Sequence, residues 1–547
     1  MAGKWRSLFP EATRNKADFF LDGEETFAAM IKAIESVRSK DHYVYILGWT
    51  LDICFLLTHR KWRRTLYKAL SEADERGAEI RILVWDNPVP EFNKPTSKAL
   101  KYLNNHKEYD FVMFLDDETY FPERSKKYLD RWLGIPPQIR ELLFAFIPRF
   151  TRMSTSYLRR RYKQLKKNRS LGAHHEKLVI VKGKDGLVSF CGGIDFHQNR
   201  ISTKVGKDLK PFPFVHDTAC RIEGPAAHDI LAKFIQRWRN HRQAKDIELI
   251  GEKERPPSPV MSNSHYVQVV GTYNNLEGEE RDRSLKKAYL SIVEKAERYV
   301  YIEDQYLVNL DVAKILNEKI QEPNFQFIML VVQDSDETED ILIPNRRRKM
   351  FVDTVLKGVS GRQAKKLFYT VVNKRQAVRN RHHTGMHAKT LIVDDEIAII
   401  GSGNLSQRSF TLDSETSVVV FDDRIGENWE ASARKEYFAF NFRVDTWHHS
   451  FRPSQKKEIF HSWLEYPTAV TQKPLKGCYL RKYVRPNQSD LDVRLTKYVV
   501  LATFIGKNRL IKYFQMHPLI YLYKPGTRWA KDLMDQFWEY LIDPKVD

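Results

Sequence analysis

The feature of this chain that most constrains its fold is an internal repeat of helix and strand patterns. The tetrapeptide Tyr-Val-Tyr-Ile occurs at residues 43–46 and again at 299–302, each time directly after an amphipathic helix pattern. Each copy is followed by a second helix pattern and then by an apolar strand, RILVWD (81–86) in one case and FIMLVVQD (327–334) in the other. Strands that alternate with helices are typical of α/β domains with largely parallel strands. The sequence therefore predicts two similar α/β halves.

Changes of composition divide the chain into four predicted segments. A first half (1–250) and a second half (265–450) are joined by GEKERPPSPVMSNS (251–264), whose prolines and charges are typical of a surface linker. In the last segment (451–547) Lys and Arg outnumber Asp and Glu by 17 to 9, with many aromatic residues between them. We interpret this segment as a basic aromatic extension, either an interfacial anchor or a lid over the core.

The charge of the chain indicates an anionic partner. The formal net charge is +20 over 547 residues, which suits nucleic acid, an acidic membrane surface or a phosphate-bearing substrate. The N-terminus shows no secretory signal, and no apolar stretch is long enough to span a bilayer, so we expect a soluble or peripheral membrane protein. Metal-type cysteine spacing is absent, which argues against a disulfide framework and a thiolate zinc site; the cysteines are Cys54, Cys191, Cys220 and Cys478.

A His-x-Lys motif occurs in each half. HAKTLIVDDEIAIIGSGN (387–404) places His387 and Lys389 on one face of a strand, and HHEKLVIVKGKDGLVSFCGGID (174–195) does the same for His175 and Lys177. One such motif is a weak signal. Two copies, each followed by an apolar hairpin and a glycine-rich turn, favour a functional role over a satisfied strand histidine beside a solvated lysine.

Phosphodiester cleavage without a metal explains why both motifs are needed. Two histidines on opposite sides of one phosphorus can supply the nucleophile and the acid, while two lysines neutralise the nonbridging oxygens. An imidazole nucleophile also needs an acceptor for its second nitrogen. Glu415 in TLDSETSVVV and Asp217 in VHDTACRIEGPAAHDI begin apolar strands in the two halves. We expect each carboxylate to orient the histidine of its own half.

These residues resemble the phospholipase D superfamily, whose HxKxxxxD motif occurs twice per active site. His387, Lys389, Asp394 and the GSxN pattern at 401–404 match it in full, and DSE at 413–415 matches the acidic partner. The resemblance covers about residues 20–445 and extends to stretches of the phospholipase branch. Those stretches are ILGW (46–49), GGIDF (192–196), HDTACRIEGPAA (216–227), RW (237–238) and YIEDQY (301–306).

The first motif departs from the family pattern at one position. Lys182 stands where the family has an aspartate, and the glycine pair follows three residues later than in the second half. We interpret VKGKDG (181–186) as an enlarged hairpin turn in which Asp185 restores the acid. If Lys182 instead marked a dead motif, the chain would be a membrane-binding protein without enzymatic activity.

The resemblance implies a fold, a mechanism and a set of site residues. The fold class is α/β, with two similar α/β/α halves packed face to face and one active site at their interface. His175 is the expected nucleophile of a ping-pong reaction through a phosphohistidine, and His387 the expected acid and base. The implied catalytic residues are His175, Lys177, Asp217, His387, Lys389, Asp394 and Glu415, and the implied substrate-binding residues are Gly193, Asp195, Ser402 and Asn404. No cofactor or metal is required, and calcium near Asp195 is left open.

The expected function is that of a phospholipase D, a phosphodiesterase that hydrolyses or transphosphatidylates glycerophospholipids with water or a primary alcohol as acceptor. Basic stretches at 157–169 and 373–383 and an apolar stretch at 139–150 suit contact with a phospholipid membrane surface. Both motifs lie in one chain, which predicts a monomer.

Two other members of the superfamily remain as alternative functions. They are a nuclease, for which the stretches of the phospholipase branch give no support, and a phosphatidyltransferase of the cardiolipin synthase type, which usually carries N-terminal membrane helices. The compact form without C2, PX or PH modules resembles bacterial members. These include lipase effectors that are exported without a signal peptide.

Overall fold

The computed structural model describes most of both halves. The described residues are 3–54, 64–87, 90–105, 109–117, 119–120, 172–197, 200–201, 215–259, 264–275, 280–332, 345–372, 385–422 and 437–451, together with 457, 461, 480–482 and 543. The stretches 139–150, 157–169 and 373–383, which are predicted to contact a membrane, lie outside them, as does most of 451–547.

The first half contains eight strands and five helices among its described residues. The strands are β1 (Thr13–Leu21), β2 (Tyr43–Gly48), β3 (Glu79–Trp85), β4 (Phe111–Asp116), β5 (Leu178–Gly183), β6 (Gly186–Gly192), β7 (Val215–His216) and β8 (Thr218–Glu223). The helices are α1 (Lys4–Leu8), α2 (Asp22–Glu35), α3 (Leu66–Glu75), α4 (Pro90–Asn105) and α5 (Pro225–Arg239). A short 3₁₀ helix, Ile250–Lys253, follows.

The second half, within its described part, has nine strands and six helices, and one further strand lies in the C-terminal extension. The strands are β9 (His265–Asn274), β10 (Arg281–Asp282), β11 (Tyr299–Asp304), β12 (Phe327–Val332), β13 (Leu367–Val372), β14 (Gly385–Met386), β15 (Thr390–Val393), β16 (Ile397–Gly401), β17 (Glu415–Phe421) and β18 (Leu480–Lys482). The helices are α6 (Ser284–Glu294), α7 (Leu310–Gln321), α8 (Asn345–Val355), α9 (Gly361–Ala364), α10 (Gln407–Thr411) and α11 (Phe438–Phe451).

The strand order shows that the two halves are copies of one design. Outward from their junction the first half runs β1-β8-β6-β5-β2-β3-β4, and the second runs β9-β17-β16-β15-β11-β12-β13. The last three strands are parallel in each half, and the hairpins β5-β6 and β15-β16 are antiparallel. Antiparallel pairing of β1 with β9 joins the halves into one sheet. The prediction of two similar α/β halves is confirmed.

The repeated tetrapeptide builds the core because successive side chains of a strand point to opposite faces. Tyr43, Tyr45, Tyr299 and Tyr301 all belong to one central apolar cluster, to which both halves contribute. The valine and isoleucine between them face the other way, into a separate cluster for each half. Both faces of these strands are therefore buried, as expected for parallel strands covered by helices.

The described parts of the C-terminal extension pack onto the second half. Strand β18 pairs with β13 at the edge of the sheet, and the buried Asp543 accepts a hydrogen bond from the backbone nitrogen of Arg408 at 2.6 Å. These pieces thus contribute to the fold. Within the described part of the chain, no helix has both the length and the apolar character needed to cross a bilayer.

Candidate active site

Each His-x-Lys motif enters the interface by pairing with a segment of the other half. His174 forms an isolated parallel bridge with Ser414, and the backbone nitrogen of His175 donates to the Ser414 carbonyl at 2.9 Å. Correspondingly, β14 pairs with β7, and the backbone nitrogen of His387 donates to the carbonyl of His216 at 2.8 Å. The two histidines are therefore placed beside acid-bearing segments that lie across the interface.

The histidine–carboxylate pairs are crossed between the halves. Nδ1 of His175 lies 3.0 Å from Oε2 of Glu415, and Nδ1 of His387 lies 2.7 Å from Oδ2 of Asp217. The prediction that each carboxylate orients the histidine of its own half is wrong. The reason is the backbone pairing across the interface. It places each histidine next to the carboxylate of the other half.

The two lysines lie buried between these pairs. Nζ of Lys177 donates to the carbonyl of His175, and Nζ of Lys389 donates to the carbonyl of His387. Burial lowers the pKa of both ammonium groups, to about 8 for Lys389. Positive charge concentrated in a buried site favours an anionic ligand, as a phosphodiester would be.

Asp195 and Asn404 occupy corresponding places after the two glycine-rich turns, but their surroundings differ. Oδ1 of Asp195 accepts hydrogen bonds from the backbone nitrogens of Trp49 and Thr50 at 3.0 and 3.2 Å, while Oδ2 lies 3.6 Å from Nζ of Lys177. The buried side-chain oxygen of Asn404 makes no hydrogen bond within the described part of the chain. Asp195 therefore supports the first motif, whereas Asn404 retains polar capacity for a ligand.

Two serines hold the Glu415 carboxylate in place. Oγ of Ser402 donates to Oε2 at 2.5 Å, and Oγ of Ser409 donates to Oε1 at 2.7 Å. Ser402 was predicted to contact phosphate, but in the structure its hydroxyl positions the partner of His175. Ser409 lies in α10 and was missed, because a serine six residues before an acid carries no distinctive signal.

Gly193 leaves the space that the Asp217 carboxylate fills. A Cβ atom at this glycine would lie 2.1 Å from Oδ1 of Asp217, so a larger residue would displace the partner of His387. The predicted role of Gly193 in substrate binding is thus better described as making room for a catalytic pair.

We expect Gly193→Ala to lower turnover at least 10-fold and to destabilise the protein by about 1–3 kcal/mol, because overpacking forces neighbouring groups to move. Steady-state kinetics and thermal unfolding measure the two effects. Gly361→Ala is the matched control, since a Cβ there meets no described atom within 4 Å. Unchanged turnover in Gly193→Ala would contradict the need for this close approach.

Arg200 is a residue of the site that no sequence motif indicates. Its Nη2 lies 3.1 Å from Nε2 of His387 and its Nε lies 3.8 Å from Oδ2 of Asp217, in a buried environment. A guanidinium only donates hydrogen bonds, so Nε2 of His387 accepts here and its proton lies on Nδ1, towards Asp217. An arginine four residues beyond GGIDF is not distinctive in a chain this basic.

Burial sets the electrostatics of both pairs. It lowers the pKa of His175 well below the ordinary histidine value, helped by Lys177 and Lys389, and it lowers that of His387 likewise, helped by Arg200 and Lys389. Burial raises the pKa of Asp217 to about 6 and that of Glu415 to about 8. Both imidazoles are therefore held neutral in the free protein, so one of them can present an unprotonated Nε2 to phosphorus.

The aspartate of the second motif lies at the other end of β15. The side chain of Asp394 accepts hydrogen bonds from the backbone nitrogens of Glu297, Arg298 and Tyr299 at 2.8, 2.8 and 2.9 Å. Its inclusion among the catalytic residues is therefore corrected, because its contacts anchor the start of β11 and not the imidazole.

The corresponding end of the first motif is held by different contacts. Lys182 forms an ion pair of 2.8 Å with Glu254, near the start of the predicted linker. Asp185 lies exposed in the turn between β5 and β6, so it does not restore the role of the missing aspartate. The departure at Lys182 thus affects a hairpin distant from the imidazole, and His175 keeps its carboxylate partner.

Comparisons with known proteins find relatives for both halves of the chain. A family model described as "Phospholipase D" matches residues 188–274, and one described as "Cardiolipin synthase, PLD-like domain" matches residues 289–436. Similar proteins include cardiolipin synthase 2 of Staphylococcus epidermidis, 23% identical over 76% of this chain and 67% of its own, and phospholipase D delta of Arabidopsis thaliana, 21% identical over 86% of this chain and 68% of its own. Both halves of the chain are therefore similar to the phospholipase D superfamily.

Solved structures of this superfamily show weaker overall similarity. Phosphatidylserine synthase of Haemophilus influenzae aligns over 78% of this chain and 86% of its own, with 13% identity and a TM-score of 0.44. Nuc of Salmonella typhimurium aligns over 29% of this chain and 83% of its own, with 17% identity and a TM-score of 0.21. The chain spans about two thirds of the length of the curated relatives it matches. The matches to the two family models and to the curated relatives support phosphodiesterase or phosphatidyltransferase chemistry and a connection with lipid metabolism.

Proposed function

We propose that this protein transfers a phosphatidyl group from a glycerophospholipid to an alcohol through a phosphohistidine on His175, as a phosphatidyltransferase of the cardiolipin synthase type. The observation that carries the proposal is the pair of crossed histidine–carboxylate contacts around two buried lysines. Two oriented imidazoles and a cationic centre are the parts that a two-step phosphoryl displacement requires.

In the first step, Nε2 of His175 attacks phosphorus and the bond to the headgroup oxygen breaks. Glu415 holds the Nδ1 proton, which leaves Nε2 with its lone pair. His387 acts as its imidazolium: Nε2, which is unprotonated in the free protein, takes up a proton from solvent and gives it to the departing oxygen. Lys177 and Lys389 neutralise the nonbridging oxygens. Arg200 must release Nε2 of His387 before that proton transfer, and an arriving phosphate anion would attract its guanidinium.

In the second step, an acceptor hydroxyl attacks the phosphohistidine. Nε2 of His387, now unprotonated, takes the proton of the incoming hydroxyl, and the bond from phosphorus to His175 breaks. Asp217 stabilises the imidazolium that forms, through its contact with Nδ1. The proton passes from His387 to the leaving oxygen in the first step and from the incoming hydroxyl to His387 in the second, so His387 returns to the protonated form in which the first step began.

The choice between an alcohol and water as acceptor decides between transfer and hydrolysis. The match of the second half to the cardiolipin synthase model and the similarity to staphylococcal cardiolipin synthases favour an alcohol of a second lipid. Hydrolysis by water, which we expected from the sequence, remains the second candidate because phospholipase D delta aligns over 86% of the chain.

A product analysis distinguishes the two. Vesicles of phosphatidylglycerol are incubated with the protein, and cardiolipin, glycerol and phosphatidic acid are quantified by mass spectrometry. Transfer predicts cardiolipin and glycerol in equal amounts with little phosphatidic acid, whereas hydrolysis predicts phosphatidic acid in excess. Phosphatidylcholine with a primary alcohol tests the chemistry independently of the natural acceptor. No turnover of any phospholipid, together with cleavage of DNA, would overturn the proposal in favour of a nuclease.

The pKa of His387 predicts the pH dependence of the first step. Burial, Arg200 and Lys389 lower that pKa below the value of about 6.5 of an ordinary histidine. The proposed acid must be protonated, so kcat/KM for a natural headgroup should fall as pH rises through the lowered pKa. Arg200→Gln removes one positive charge, and we expect this alkaline limb to move to higher pH. A kcat/KM profile measures the shift.

Arg200→Lys provides the conservative control for this experiment. It keeps the positive charge, so the limb should stay near its wild-type position even if turnover falls. A nitrophenyl ester, whose leaving group needs no proton, should show no alkaline limb of this origin in any variant. Identical profiles for wild type and Arg200→Gln would show that the guanidinium does not control the protonation of His387.

A further inference from the structure

A second cluster of polar side chains lies beside the active site, on the other side of β7. Oδ1 of Asp22 is 2.8 Å from Nδ1 of His216, and Oδ2 of Asp22 is 2.9 Å from Nε2 of His449. One donor atom from each of the three residues lies within 4.8 Å of the other two. The mechanism above makes no use of any of these side chains.

Three segments that are distant in sequence supply this cluster. Asp22 begins α2 in the first half, His216 ends β7 before the catalytic Asp217, and His449 lies in α11 near the end of the second half. Asp22 and His216 are almost fully buried, while the His449 side chain is 26% exposed. The three side chains therefore form a set of candidate ligands around one buried point. The partly exposed His449 leaves this point open to solvent on one side.

The surroundings of His216 resemble those of a metal-bound histidine. Its Nδ1 faces Asp22, while its Nε2 lies 3.4 Å from Oε2 of Glu303, a carboxylate that accepts a hydrogen bond from the Tyr301 hydroxyl at 2.6 Å. Histidine ligands of metals commonly donate their other ring N–H to such a carboxylate, which fixes the ring and raises its basicity. Asp22 is fixed in turn, because the backbone nitrogen of Asp217 donates to its Oδ1 at 3.1 Å.

We propose that Asp22, His216 and His449 bind one divalent transition metal ion, with zinc as the favoured ion and Glu303 as the outer carboxylate that orients His216. Two imidazoles and one carboxylate suit zinc and its neighbours better than magnesium or calcium, which prefer oxygen ligands throughout. Ligand atoms around a tetrahedral zinc are about 3.4 Å apart, so the observed spacing needs only small side-chain movements. Asp22 and Glu303 together balance the charge of the ion.

The ion would stabilise the segment that holds the crossed pair of Asp217 and His387. The carbonyl of His216 accepts hydrogen bonds from the backbone nitrogens of His387 and Ala388 at 2.8 and 3.0 Å. Fixing the His216 ring therefore also fixes the point at which the second motif crosses the interface. The metal has a structural role that joins α2, β7 and α11, and the phosphoryl chemistry does not pass through it.

Metal content of the 547-residue chain tests the proposal. The protein is stripped with a chelator, incubated with Zn²⁺, desalted and analysed by mass spectrometry of the metal. We expect close to one zinc per wild-type chain, and at least a 10-fold loss of bound zinc in His449→Ala. His448→Ala, the same substitution one residue earlier in α11, should retain the ion. Zn²⁺ should also raise the melting temperature of wild type and of His448→Ala, but not that of His449→Ala.

Two further arms keep the test decisive. The double variant His175→Ala/His387→Ala should bind zinc as wild type does, which excludes capture of the ion by the catalytic imidazoles. If His449→Ala does not fold, the X-ray absorption spectrum of zinc-loaded wild type still reports the ligands, which should be nitrogen and oxygen without sulfur. A wild-type chain that retains no zinc, or a folded His449→Ala that retains as much, would overturn the proposal and leave the cluster as hydrogen bonds alone.

Discussion

His175→Ala and His387→Ala should each lower phospholipid turnover by about 10²-fold or more, because each removes a group that one of the two steps requires. The two side chains act as one unit, so the double variant should be little worse than either single variant. Both imidazoles are nearly buried, with 14% and 11% of their side chains exposed. Initial rates with vesicles or a short-chain phospholipid measure the losses.

The two single variants should differ with an activated substrate. A nitrophenyl phosphodiester needs no acid for its leaving group, so His387→Ala should still form the phosphohistidine and then stall. His175→Ala should form none. Acid-quenched samples analysed by mass spectrometry detect the intermediate. A single variant that keeps more than about a tenth of the wild-type rate would contradict the paired mechanism, and so would multiplicative losses in the double variant.

The fold was predictable from sequence because the repeat records the strand pattern twice. The alternation within Tyr-Val-Tyr-Ile places aromatic rings towards the shared core and β-branched residues towards the helices of each half. A strand that is buried on both faces fits few positions other than the centre of a sheet covered by helices. The same order of helices and strands also occurs twice along the chain. The antiparallel junction of β1 with β9, by contrast, depends on two strands with no distinctive pattern, so the sequence could not indicate it.

The identity of the catalytic residues was also predictable, but their pairing was not. Sequence order suggested that Glu415 follows and orients His387, whereas the structure places it beside His175. Pairing depends on which segments bridge the interface, and backbone bridges such as His174 to Ser414 leave no trace in residue type. A single sequence does not show which residues of two similar halves contact each other across their interface, so the pairing could not be predicted.

The remaining differences have a similar cause. Asp394 fits the family motif, yet in the structure it caps backbone nitrogens at the far end of its strand. A motif shows that a residue type recurs at one position in a family. It does not show whether that residue takes part in catalysis or supports the fold. Arg200 shows the opposite case, since its contact with His387 comes from a loop that no motif marks.

The crossed pairs predict different defects for the two carboxylates. Glu415→Gln should slow the first step by about 10²-fold or more for every substrate, because it replaces the carboxyl group that orients the proposed nucleophile His175. Asp217→Asn should slow the release of a natural headgroup by a similar factor but the release of nitrophenolate far less, because it impairs the proposed acid His387. Single-turnover kinetics with both leaving groups measure the difference.

Pairing within each half would reverse this pattern, with Asp217→Asn slowing both leaving groups and Glu415→Gln slowing mainly the natural one. Ser409→Ala serves as a graded control, because it removes one hydrogen bond to Glu415 without changing the carboxylate. Its effect should likewise be independent of the leaving group, but smaller than that of Glu415→Gln, since a single hydrogen bond typically contributes about 0.5–1.5 kcal/mol. If Ser409→Ala shows the leaving-group independence of Glu415→Gln, and not the leaving-group dependence of Asp217→Asn, then Glu415 of the second half acts on His175 of the first half.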